Sequence, residues 1–113
     1  MKKINDLTFG NVVNEYTKPI VIKFYNTKCP LCAGIKPIFQ QLSQMYDNYE
    51  FAECNAANSN RVFKFFNISG VPSVFILGPN FMKEIPYPQN PDPHSGYSLY
   101  DIADFLDSFT PPT

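Results

Sequence analysis

The sequence predicts an α/β protein in which helices flank a central mixed β-sheet. Three observations carry that prediction. A β-branched and aromatic run, IVIKFY (20–25), passes almost directly into a segment with helical periodicity. The alternation repeats with EFAECNA (50–56) as a strand and RVFKFFN (61–67) as a short helix. Two further strand-like runs, VPSVFIL (71–77) and FMKEIPY (81–87), are then separated only by the turn residues Gly78-Pro79-Asn80. Alternating units followed by a strand pair give a mixed sheet.

Each element has its own warrant. Asn5, with Thr8 three residues on, marks the start of a short helix presenting Phe9, Val12, Val13 and Tyr16 on one face. Lys18-Pro19 stops it, and IVIKFY reads as a central strand. Beyond it Ile35, Ile38, Phe39, Leu42, Met45, Tyr46 and Tyr49 recur at helical spacing. Pro37 is expected to kink that helix, because it removes a backbone donor. Gly70 ends the short helix that follows the second strand. Residues 86–96 hold four prolines and Gly96, so no regular structure is expected there. Ile102, Phe105, Leu106 and Phe109 form one face of a closing helix. The predicted order is helix, strand, helix, strand, helix, strand, strand, helix.

Composition narrows the function classes. The chain has 113 residues, 44% hydrophobic and 16% aromatic, which suits one compact domain and leaves little room for a second. The expected domain runs over 1–113, whole or excised from a longer multidomain protein. A net charge of −1 with no block of like charges gives nucleic acid no electrostatic footprint. No apolar run approaches the roughly 18 residues of a membrane span. The opening MKKINDLTFG lacks the apolar stretch of a secretory signal, which fits a cytosolic protein, a mature chain or an excised domain. Three cysteines are too few for a disulfide scaffold, and their odd number leaves at least one thiol unbridged.

Two of those cysteines lie in KCPLC, at the junction of the first strand and the long helix. Cys29 falls just ahead of the helix and Cys32 in its first turns. Unpaired backbone N–H groups and the helix dipole there stabilise a thiolate on the first cysteine, and the charge of Lys28 pushes the same way. The thiolate is the form that attacks a disulfide. Cys29 is therefore the candidate nucleophile, and Cys32, one turn on, the thiol that resolves the mixed disulfide. Pro30 suits an early helix position, where its missing donor costs nothing.

At these residues the chain resembles the thioredoxin superfamily, and within it the thioredoxin-like domains of protein disulfide isomerases. PIVIKFYNTKCPLC is similar to the family's core strand running into its Cys-x-x-Cys turn, and Pro37 sits five residues after Cys32, where the family has a proline. SGVPSVFIL is similar to the loop whose proline is cis and faces the active site. INDLTFGNVV and GYSLYDIADFL resemble the first and last helices, so the resemblance covers essentially the whole chain. It implies a thioredoxin-like fold and thiol–disulfide exchange on protein or peptide substrates. It also implies a cis Val71-Pro72 bond, with the Val71 and Pro72 segment binding substrate as an added strand. No cofactor is implied, since the electrons travel through sulfur. The isomerase resemblance, with the sequon Asn67-Ile68-Ser69, points to the endoplasmic reticulum lumen or another secretory compartment. The chain ends in TPPT, which is no retention signal, so the cytoplasm is the alternative.

The departures from the family pattern are specific. Lys28 stands where the family usually has tryptophan, and the chain has no tryptophan at all. Pro30-Leu31 separate the cysteines, so no histidine lies between them to stabilise the thiolate. Six residues before Cys29 the family carries a buried acid that exchanges the proton of the second cysteine; this chain has Lys23. The family's facing lysine on the next strand is replaced by Glu53. Two arrangements fit. In one, the charges have traded places, Lys23 pairs with Glu53, and Glu53 accepts the Cys32 proton. In the other, Lys23 snorkels to solvent and Glu53 lies on the surface. An arginine that isomerases often carry near the last helix falls at Tyr97, with no arginine nearby.

These departures keep a second function class open: a substrate- or partner-binding module of a chaperone-like protein, with weak or no redox turnover. The retained Cys29, Cys32 and Pro72 favour exchange. A zinc knuckle would have to be completed by Cys54 and His94, which have neither the spacing nor the flanking motif, so no metal site is expected. Cys54 reads as a core thiol, His94 as a loop residue, and the Phe63, Phe65, Phe66 cluster as packing.

Overall fold

The structure is a computed structural model and describes residues 1–112. Five strands form one mixed sheet: β1 (Lys2–Ile4), β2 (Ile20–Tyr25), β3 (Glu50–Asn55), β4 (Ser73–Gly78) and β5 (Phe81–Ile85). Their order across the sheet is β1-β3-β2-β4-β5. β1 and β2 run parallel to β3, whereas β4 is antiparallel to both β2 and β5. The helices are α1 (Phe9–Glu15), α2 (Pro30–Met45), α3 (Asn60–Phe65) and α4 (Leu99–Ser108).

The strand period of two sorts the core onto two faces. Val21, Phe51, Val74 and Ile76 pack with Ile35, Phe39 and Leu42 of α2 and Ile102 and Leu106 of α4. Ile20, Ile22, Phe24, Ala52, Cys54 and Phe75 pack on the other side with Val12, Val62 and Phe66. Residue 23 therefore follows Val21, and residue 53 follows Phe51, onto the α2 side. The β2–β3 register makes Lys23 and Glu53 direct neighbours. Most of the central strand β2 is buried on both faces, so Lys23 enters the interior.

The mixed sheet and flanking helices agree with the sequence reading, and four local features differ. β1 adds a strand before the first helix. Two of its three residues are exposed lysines, and only Ile4 is buried, so the strand is made by backbone pairing to the β3 edge rather than by a pattern. α1 begins at Phe9 because Asn5 and Thr8 close a turn ahead of it. The Asn5 side chain accepts from the N–H groups of Leu7 and Thr8, and Thr8 Oγ1 accepts from Asn5 N–H. α3 starts at Asn60, where the Asp6 carboxylate accepts from the Arg61 and Val62 N–H groups, a cap supplied from a distant turn. α4 stops at Ser108, ahead of Phe109. It opens on a reciprocal cap between Ser98 and Asp101, and Phe109 still stacks on Phe105.

Pro37 lies within α2, which continues through it. The proline-rich stretch between β5 and α4 contains a single bridge, Asp92 to Gly96. The end of this loop rests on α2: a Cβ at Gly34 would collide with the His94 carbonyl. A helix-interior glycine costs about 1 kcal/mol relative to alanine, and here that cost permits the approach.

Candidate active site

Cys29 is the N-cap of α2, and Pro30 follows at the first helical position. The helix gives one of its free N-terminal donors to sulfur: the Cys32 N–H points at Cys29 Sγ, 3.2 Å away. The turn is closed by Cys29 N–H donating to Asn26 O at 3.2 Å. Cys29 is half-buried, and its thiol donates to the Val71 carbonyl at 3.9 Å. Val71-Pro72 is a cis peptide, so the loop before β4 presents its backbone to the cysteine pair.

Cys32 is 5% exposed and faces the interior. Burial, with its hydrogen bond to Cys29, pushes its thiol up to about 12; the nearby Lys23 charge and the Asn26 backbone pull the other way. Resolving a mixed disulfide therefore requires a group that takes the Cys32 proton.

Lys23 and Glu53 lie beneath the pair. Lys23 is 2% exposed, and its Nζ is 3.4 Å from Glu53 Oε2. The ammonium also lies over two rings, 5.1 Å from the centroid of Tyr25 and 5.4 Å from that of Phe39. Burial lowers the Lys23 pKa, and Glu53 opposes that shift. Lys23 is therefore paired with Glu53 and does not snorkel to solvent. A cavity of about 280 Å³ connects these groups, lined by Cys32, Lys23, Glu53, Tyr25, Lys36 and Lys3 among others. Glu53 keeps a side-chain exposure of 17%, so this cavity joins the pair to solvent.

The other predicted residues fall as follows. Lys28 is exposed on the turn beside Cys29. Tyr97 is fully buried and donates to Ile85 O at 3.0 Å, so the position held by an arginine in isomerases is here a fixed core tyrosine. Cys54 lies on the opposite face of the sheet from Cys32, and its thiol is pushed up to about 11 by burial. His94 is an exposed loop residue. Among the described residues, no three of His, Cys, Asp and Glu gather as a metal ligand set. The sequence reading did not find Tyr25 and Phe39 as the rings around Lys23, nor Lys3 and Lys36 in the cavity. Only the spacing of Phe39 at helix positions facing β2 hinted at the first.

The half-exposed N-cap thiol, the buried second thiol and the cis-proline loop define a thioredoxin-type dithiol site. The Thioredoxin family profile matches residues 1–87, and the chain belongs to the thioredoxin family. It is 32% identical over 77 residues to mitochondrial thioredoxin-3 of Saccharomyces cerevisiae, covering 67% of this chain and 59% of that protein. It is 28% identical over 75 residues to the chloroplastic M-type thioredoxin of Chlamydomonas reinhardtii, covering 66% and 54%. It is 29% identical over 70 residues to protein disulfide isomerase-like 2-1 of Oryza sativa subsp. japonica, covering 59% and 19%. The chain thus spans less than two thirds of each of these relatives. Similarity reaches thioredoxins and an isomerase-like protein alike.

Proposed function

We propose that this chain is a thiol–disulfide oxidoreductase acting on protein or peptide substrates through Cys29 and Cys32. The observation that carries the reading is the Cys32 N–H aimed at Cys29 Sγ at 3.2 Å, beside a backbone carbonyl of the cis-proline loop. Family membership supports it. In the reducing direction the Cys29 thiolate attacks one sulfur of a substrate disulfide, forms a mixed disulfide and expels the other substrate thiolate. Cys32 then loses its proton, attacks Cys29 Sγ and releases the second substrate thiolate. Two electrons pass to the substrate, and the protein keeps a Cys29–Cys32 disulfide. The reverse sequence donates a disulfide.

In this reading Glu53 takes the Cys32 proton through the shared cavity, and Lys23 holds the carboxylate in place. Lys28 places its charge on the exposed turn beside the attacking sulfur, and Val71 and Pro72 hold the substrate segment. The closer assignment to an isomerase-like protein of a secretory lumen rests on the motif resemblance and on the sequon, whose Asn67 is exposed. Glycosidase sensitivity of the protein from its native cells tests that part; a disulfide-reducing cytoplasmic protein is the alternative.

A specific observation favours a second reading, a binding module with slow turnover. The fixed, buried Tyr97 occupies the position from which an arginine would swing toward Cys32. A redox titration against glutathione, read by thiol-trapping mass spectrometry, separates the two. The exchange reading expects a reversible two-electron transition at Cys29 and Cys32. A pair that stays locked in either state, or reacts no faster than an ordinary thiol, would favour the binding module.

A further inference from the structure

The proline-rich loop between β5 and α4 takes no part in the exchange chemistry described above, yet it borders the substrate side of the site. A groove of about 300 Å³ runs beside the cis-proline, lined by Ser69, Val71, Pro72, Ser73, Glu84 and Tyr87. Its near wall is the Val71 segment whose carbonyl lies 3.9 Å from Cys29 Sγ. Val71 lies just ahead of β4 and, among the described residues, makes no backbone–backbone hydrogen bond; its carbonyl carries only the long 3.9 Å contact from the Cys29 thiol, which an extended peptide can replace. Alternate side chains of such a peptide point to opposite sides, and one of those sides is this groove.

Two groups give the groove its chemistry. Glu84 is its one charged residue, is exposed, and makes no ion pair among the described residues. Tyr87 is 45% exposed, yet its ring is held. It meets the buried Tyr97 edge-on, with centroids 5.3 Å apart at 79°. Its hydroxyl lies over Gly96, where a Cβ would stand only 2.8 Å from it, and Gly96 has φ +74. Glycine is needed at 96 both for that backbone conformation and for the space Tyr87 occupies. The far end of the loop is fixed by the His94 carbonyl against Gly34 of α2. The loop is thus braced at both ends, and the groove is lined together by the Glu84 carboxylate from the end of β5 and by Tyr87 from the start of the loop. That combination attracts an ammonium or guanidinium group and repels a carboxylate. Lys28 does not line the groove, and neither does any other cation.

We infer that the groove formed by Pro72, Glu84 and Tyr87 is a substrate subsite that takes a lysine or arginine side chain next to the reacting cysteine of the polypeptide. The inference rests on the exchange reading and names the substrate class it prefers. The end of β5 and the start of the loop form a specificity wall, with Glu84 and Tyr87 as the recognising residues.

The test uses short peptides joined by a disulfide to a fluorescent thiol and reduced by the dithiol protein at low ionic strength. The peptides carry Lys, Gln or Glu at each position within two residues of the cysteine. At one position the Lys peptide is expected to react about tenfold faster than the Glu peptide, with Gln between, which corresponds to about 1.4 kcal/mol. Glu84→Gln brings the three rates together, Glu84→Lys reverses their order, and Tyr87→Ala slows the Lys peptide alone. Equal rates for all peptides with the unmodified protein, or a Lys preference that persists in Glu84→Gln, overturns the subsite and leaves the exchange reading standing. Failure to reduce any peptide overturns the exchange reading and the subsite with it.

Discussion

Cys32 and Cys54 are both buried thiols, on opposite faces of the same sheet, and burial pushes both well above the ordinary thiol range. Their surroundings differ. Cys32 sits one helical turn from a second, half-exposed sulfur and shares a solvent-connected cavity with a lysine–glutamate pair. Cys54 is fully buried among Ile4, Val12, Phe24 and Val62. Burial alone keeps a thiol protonated and inert. Reactivity requires a neighbouring sulfur and a route for the proton, and only the α2 face supplies both.

The largest effect that would sharpen this contrast is loss of Cys29, the proposed nucleophile. Cys29→Ser should lower exchange by at least about a thousandfold, on the scale seen when other enzymes lose theirs. Stopped-flow reduction of a disulfide reporter measures it. An unchanged rate would mean another thiol attacks.

Glu53→Gln comes next, with two readouts. It leaves the Lys23 ammonium buried without its counter-charge, and the expected loss is about 3 kcal/mol, the low end for a broken buried pair because Glu53 keeps some solvent contact. Urea denaturation reads that loss. The release step at Cys32 should slow by about a hundredfold, in the range of a missing general base, while the first attack by Cys29 keeps its rate. A variant that loses stability but resolves at the normal rate would make the pair structural only. Lys23→Met with Glu53→Leu should recover most of the stability and none of the release rate.

A third effect lies on the alkaline limb of stability. The folded Cys32 and Cys54 thiols hold their protons to about 12 and about 11, against an ordinary 9.0. The unfolded chain loses those protons first as pH rises. The stability they contribute is therefore complete below pH 9 and is lost above it, at about 1.4 kcal/mol per pH unit for each thiol. Lys23, whose pKa is lowered in the fold, acts with the opposite sign below its ordinary 10.5. Denaturation midpoints of the reduced protein between pH 8 and 11 check the balance, and Cys54→Ala should make the decline shallower.

The smallest effect is that of Cys54→Ala on exchange, which should be nil. Its stability cost at neutral pH should be about 1 kcal/mol, for a small cavity in a packed face. A fall in exchange rate would erase the distinction between the two faces.

Much of this arrangement is legible in the chain itself. The strand-to-helix passage through KCPLC places both cysteines, and the family resemblance sets Lys23 opposite Glu53, which the β2–β3 register bears out on the face of Val21 and Phe51. From the sequence both pairing and snorkelling stay open for these two charges, and the burial of Lys23 in the central strand decides for pairing. What stays hidden depends on contacts between distant segments. β1 has too little apolar pattern to declare itself. Gly34 in a helix marks a close approach but not which backbone makes it. Tyr87 and Glu84 acquire their setting only when the loop folds back over Tyr97 and Gly96. The rings around Lys23 come from α2 and from β2 itself, and no spacing rule joins them.

The most direct test of the central account, in which Cys29 attacks, Cys32 resolves and Cys54 watches, is trapping of the mixed disulfide. Three variants, Cys29→Ser, Cys32→Ser and Cys54→Ser, are each mixed with a peptide disulfide, quenched with acid and analysed by intact-mass and peptide mapping. The account predicts a stable adduct on Cys29 in Cys32→Ser, none in Cys29→Ser, and full turnover without accumulation in Cys54→Ser. An adduct forming equally well in Cys29→Ser, or none in Cys32→Ser, would contradict it.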